Sequence, residues 1–293
     1  MIQSMTGFGK ATLQLPNKKI TVEIKSLNSK GLDLNVRTPY VYREMELGLR
    51  NQIAQKLERG KIDFSLFIEI TGEETSSKIN VPIVKAYINQ LKLVVDGDET
   101  ELLKMAVRMP DALKTEREEL DENEWKVIQG VIDQGLENIQ KFRNSEGVAL
   151  EKEFLLRIGN ILALMNETVA LDGERIETVK NRLKTAIEEL NVSVDENRFE
   201  QELIFYLEKY DITEEKVRLE NHLNYFIETL AGNEANGRKL GFITQEIGRE
   251  INTMGSKSNH AQMQKLVVQM KDELEKIKEQ VLNVLQNALG RKL

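Results

Sequence analysis

The chain has no cysteine. That excludes disulfides, thiol nucleophiles and thiolate-bound metals together. Its two histidines, His222 and His260, are too few for a zinc centre built on imidazoles. A bound ion would be held mostly by oxygen, which favours magnesium or manganese. No run of about 18 apolar residues is present, so no membrane-spanning helix is expected. The opening MIQSMTGFGK lacks the charged-then-apolar order of a signal peptide, so nothing directs export. Low-complexity segments and repeats of 20–50 residues are also missing.

What remains is ordinary globular material. The 293 residues are 40% hydrophobic and 30% charged, enough for one large or two average domains. The net charge of −7 has the wrong sign for a nucleic-acid binder as a whole. Local fields matter more than the sum. Acid is concentrated in TEREELDENE, from Thr115 to Glu124.

The first third alternates with period two. Ile20, Val22 and Ile24 share one face, as do Leu32, Leu34 and Val36, and then Ile62, Phe64, Leu66, Ile68 and Ile70. Such alternation predicts half-buried strands. LNSKG, between the first two runs, reads as a hairpin connection. A helix is expected from about Tyr42 to Glu58, and another after Asn80 with Pro82 in its first turn. Beyond residue 100 the period becomes helical. One helix is expected over Glu119–Phe142 and a second pattern over Val148–Leu190, bent or broken at Asp172-Gly173. Further helices are expected near Asp195–Lys209, Thr213–Leu230, Arg238–Ser256 and Asn259–Leu289. The reading is α+β: an N-terminal α/β domain over 1–145 with a small, mainly antiparallel sheet, then a long-helix domain over 146–293. Stripes this long must be buried somewhere, often against another subunit.

GRKLGFITQEIGREINTMGSKS, from Gly237 to Ser258, carries the most chemistry. On a helical wheel Leu240, Ile243, Ile247, Ile251 and Met254 form a core stripe. Gly241, Gly248 and Gly255 edge it on one side, where a second helix or a phosphate backbone could approach closely. Lys239, Glu246, Glu250 and Lys257 edge it on the other. Carboxylates at i and i+4 can share a divalent ion, and the flanking lysines can hold phosphates; the same stripe also reads as solvated charge. Glu215, Arg218 and His222 share a face of the preceding helix. His222 there reads as a hydrogen-bonded structural residue or a site residue, and His260 as a cap or surface residue.

MTGFGKA, EIKSLNSKGLDLNVRTP, ERGKID, RLENHL, the 237–258 block and VVQMKDELEKIKEQVLNV, in this order, resemble the bacterial YicC family over nearly the whole chain. The resemblance implies a cytoplasmic endoribonuclease, stimulated by a divalent ion such as manganese, assembling as a hexameric ring that encloses RNA. It also implies an aspartate where this chain has Gly241 and an acid where it has His260. On that footing Glu246, Glu250 and His222 are the candidate catalytic and metal-binding residues. A divalent ion, Mn2+ or Mg2+, is the expected cofactor. Arg238, Lys239, Arg249 and Lys257 are the candidate phosphate grips, with Lys10, Lys30, Arg37 and Arg59 extending the track onto the first domain. With aromatics at 5%, base stacking is a poor candidate for the main affinity. The alternative is an oligomeric RNA-binding adaptor that hands RNA to other decay enzymes without cleaving it.

Overall fold

The computed structural model describes residues 2–71, 78–114, 122–189, 196–232 and 237–285. TEREEL and Asp121 of the acidic stretch lie outside them.

Strands β1 (Gly7–Gln14), β2 (Lys18–Leu27), β3 (Leu32–Arg37) and β4 (Gly60–Ile70) form one sheet in the order β1-β2-β4-β3. The pairings β1/β2 and β2/β4 are antiparallel, and β3/β4 is parallel. The expected hairpin at LNSKG is therefore not made. The long alternating run of β4 takes the free edge of β2, and β3 joins the far side of β4. A parallel pair needs a crossover, and helix α1 (Glu46–Leu57), entered through a 3-10 turn at Tyr40–Met45, supplies it. Ile20, Val22, Ile24, Ile62, Phe64 and Leu66 face inwards as the alternation requires.

A two-stranded ribbon, β5 (Lys78–Ile79) with β6 (Leu113–Lys114), and helices α2 (Val81–Lys92) and α3 (Glu99–Ala106) form a small module. Its buried core is Val84, Ala106 and Ala112.

Helix α4 (Glu122–Ala170) is 49 residues long, roughly 73 Å at 1.5 Å per residue. The sequence suggests a gap between Phe142 and Val148, but the helix runs through it. The reason is packing. Arg143 is buried and donates to the carbonyls of Leu57, Met5 and Arg59 and to the Ser26 hydroxyl. Burial lowers its guanidinium pKa to about 10. Gly147 lies so close to the backbone of Ile2 that any Cβ would overlap its carbonyl oxygen. The first half of α4 packs Ile128, Ile132, Leu136 and Ile139 on the sheet. The second half packs Phe154, Ile158, Ile161 and Met165 among the C-terminal helices. By length and composition alone one window within Glu122–Ala186 could cross a membrane, contrary to the expectation above. Those four residues lie in the protein core, and 28% of the window is buried in all.

The helix breaks before Asp172, where expected, and continues as α5 (Asp172–Glu189) and α6 (Glu196–Lys209). Ile204 and Phe205 of α6 stay exposed. Helices α7 (Thr213–Ala231), α8 (Gly237–Lys257) and α9 (Ala261–Val281) complete the fold and share one core with the end of α4. Phe154 and Phe226 meet edge to face there, 5.8 Å between centroids.

Candidate functional site

Helix α8 is fixed on two sides. Its stripe of Leu240, Ile243, Ile247, Ile251 and Met254 is fully buried. Its glycine edge faces α9. A methyl at Gly255 would stand 2.9 Å from Val267 Cγ1, and one at Gly248 3.2 Å from Leu274 Cδ2. The recurrent glycines therefore serve helix–helix approach. Gly241 differs: a methyl there would find only Val281 Cγ1, at an ordinary 3.8 Å. His260 is the N-cap of α9, its Nδ1 accepting from the Met263 amide.

The charged edge of α8 faces α7. Lys257 Nζ lies 2.7 Å from Glu215, whose side chain is almost wholly buried. Lys239 Nζ lies 4.7 Å from the centroid of the Tyr225 ring. These contacts set α7 and α8 antiparallel. Glu250 lies seven residues before Lys257 on α8, and His222 seven after Glu215 on α7. Counted from the Lys257–Glu215 contact His222 falls opposite Glu250, and counted from the Lys239–Tyr225 contact it falls opposite Phe242, so it lies along the 242–250 stretch of α8. Lys257 is thus engaged with a buried acid rather than displayed as a phosphate grip. Glu215, Arg218 and His222 do not act together either: Arg218 pairs with Glu214.

The two carboxylates of α8 are unlike. Glu246 is half exposed and reaches Arg249 at 3.8 Å. Glu250 is 5% exposed, and no hydrogen bond or ion pair reaches it among the described residues. Its carboxylate oxygens still meet solvent; among the described residues the sealed carboxylate oxygen of this helix pair that no hydrogen bond reaches is Glu215 Oε2. Among the described residues no three His, Asp or Glu side chains converge to hold an ion. Glu246, Glu250 and His222 are therefore not gathered into one cluster. A pair of carboxylates completed by water and phosphate oxygens suits magnesium and manganese chemistry, which rarely uses an all-protein cage.

Arg238 and Arg249 lie exposed on the outer face of α8, and Lys239 is exposed at its edge. On the first domain, Lys10 pairs with Glu23 at 2.9 Å, and Arg59 donates to the Ser29 carbonyl at 2.7 Å as a local clamp. Lys30 is exposed in the β2–β3 connection, and Arg37 on the open face of the sheet beside Lys25, Glu23 and Asp63.

Residues 2–152 match the family described as endoribonuclease YicC-like, N-terminal region. Residues 169–285 match the endoribonuclease YicC-like, C-terminal family. The chain belongs to the YicC-like family. It is 32% identical to a protein of Clostridioides difficile strain 630 named probable endoribonuclease YicC, over 97% of this chain and all of that one. A Haemophilus influenzae protein of the same name is 29% identical over the same shares.

Two features of this YicC-like site escape sequence reasoning. Glu215 as the partner of Lys257 depends on helix register, which no local pattern encodes. Tyr225 and Phe242 are exposed aromatics beside the basic residues. Their signal was present in the wheel, as rings lying off the core stripes of their helices.

Proposed function

We propose that this chain is an endoribonuclease that cleaves RNA phosphodiester bonds with the aid of a divalent ion, Mn2+ or Mg2+. The observation that carries the reading is the pair of carboxylates Glu246 and Glu250, one turn apart on α8 beside exposed cations, in a chain whose relatives are named probable endoribonucleases. Glu246 and Glu250 would hold the ion. When bound, it would offset the charge that develops on the scissile phosphate. Arg238, Lys239 and Arg249 bind neighbouring phosphates and set the register of the strand. As water adds to the phosphorus, His222 on the facing helix gives a proton to the leaving ribose oxygen, whose bond to phosphorus breaks. The working form is a homo-oligomer, a hexameric ring enclosing RNA. The exposed Ile204 and Phe205 of α6, and the slight core of the α2–α3 module, supply apolar surface for contacts between copies.

Two observations favour the adaptor reading. Among the described residues no third protein ligand converges on the two glutamates, and Gly241 stands where the resemblance implies an aspartate. The deciding experiment incubates purified protein with a labelled, structured RNA in manganese, magnesium or EDTA. Cleavage with either metal that EDTA and Glu250→Gln both abolish supports the nuclease. Binding without cleavage in all three conditions supports the adaptor.

A further inference from the structure

Tyr225 and Phe242 are 45% and 55% exposed, although neighbours on the same helices, such as Leu223 and Leu240, are sealed in the core. Each ring carries a cation. Lys239 Nζ lies 4.7 Å from the Tyr225 centroid, and the Arg238 guanidinium carbon 5.6 Å from that of Phe242. Arg238 and Lys239 are consecutive, so both rings flank the same first turn of α8. Phe242 lies one turn before Glu246, and Tyr225 one turn after His222. The rings therefore border the candidate carboxylates and histidine.

We infer that Tyr225 and Phe242 form a stacking subsite for unpaired nucleobases of an RNA strand. The inference rests on the endoribonuclease reading above and adds to it the form of RNA taken. The chemistry is specific on three counts. A cation over each ring draws phosphate to the place where the ring can receive a base. A purely apolar protein partner would have to strip water from Arg238 and Lys239 to reach the same rings, at a cost in charge desolvation. A polyanion with flat aromatic sides satisfies rings and cations together. Duplex RNA keeps its base faces stacked internally, so the subsite selects single-stranded segments, loops and bulges. The low aromatic content of the chain does not oppose this, because two rings suffice when both stand at the site.

The test is equilibrium binding by fluorescence anisotropy in EDTA, which prevents metal-dependent cleavage. The probes are a labelled single-stranded oligoribonucleotide, a blunt duplex and an abasic strand of equal length. Wild type should bind the single strand more tightly than the abasic strand or the duplex. Tyr225→Leu and Phe242→Leu should each weaken single-strand binding roughly tenfold, the scale of one base–aromatic stack, with abasic binding unchanged. Tyr225→Phe and Phe242→Tyr, which keep the rings, should bind like wild type. Equal wild-type affinity for the normal and abasic strands overturns the subsite and leaves the RNA reading standing; this comparison does not depend on any variant folding. Failure of wild type to bind any of the three probes overturns the RNA reading and the subsite with it. Leucine variants that change the oligomer mass by light scattering mark the rings as a contact between copies and also overturn the subsite.

Discussion

Lys257 and Arg249 lie two turns apart on α8 and have different roles. Lys257 is 29% exposed at its side chain and salt-bridged to Glu215, which is buried. Lys257→Met should lower stability in chemical denaturation, by less than the ~3–5 kcal/mol that follows the breaking of a fully buried pair. Arg249, exposed, should behave otherwise. Arg249→Met should leave the midpoint within error, weaken RNA binding to all sequences alike and flatten the salt dependence of affinity. The reverse pattern would exchange the two roles. The glycines permit a similar contrast. Gly241→Ala has room and removes a poor helix former, so it should be neutral or stabilise by up to ~1 kcal/mol. Gly255→Ala meets the β-branched Val267 at 2.9 Å and should destabilise, since overpacking costs ~1–3 kcal/mol and exceeds the gain in propensity. Equal midpoints for the two alanine variants would refute the close approach of α8 to α9.

At the scale of elements, α4 and α9 are joined by a charge network. Glu273 accepts from Lys276, Asn160 and Arg157. Burial raises its pKa, but these donors outweigh that and hold the carboxyl at about 2. Its folded pKa is below the unfolded value, so the contribution to stability is complete above the unfolded pKa and fades as pH falls towards 2. Wild type should lose stability between about pH 5 and pH 2 more steeply than Glu273→Gln, measured by urea midpoints across that range. Parallel curves would place the acid sensitivity elsewhere. This network also shows where sequence reading ends. The stripes of α7, α8 and α9 and the alternation of β4 were legible, because helix and strand periods are local. The place of β3 was not, since strand order depends on which edge is filled first. The continuity of α4 through Asn144–Gly147 was not, because Arg143 and Gly147 are held by the distant residues Met5 and Ile2. In the site, the candidate glutamates could be named, but their unequal burial could not. Both lie on one edge of the wheel, yet Glu250 is 5% exposed and Glu246 half open.

At the scale of the molecule, the proposed ring requires a mass six times the 33.6 kDa of one chain. Light scattering at micromolar concentration should give that value, and a monomer would remove the enclosed-RNA picture. Within one chain, the opening residues pair with the last described ones. The Met5 amide donates to Asn283, the Leu285 amide donates to Gln3, and Ser4 bridges Val284. Ile2 belongs to the C-terminal core, not to the sheet that follows it in sequence. A ribosome makes residues 283–285 some 280 positions after residues 2–5. The sheet and the first half of α4 can fold as they emerge and can hold the Ser4 amide and the Met5 carbonyl, but the Met5 amide and the Gln3 carbonyl must wait for their partners until the end of α9 is synthesised. Sequence separation on that scale slows closure. The newborn chain therefore carries an open seam while all the residues between are made, and completing α9 is the step that closes it.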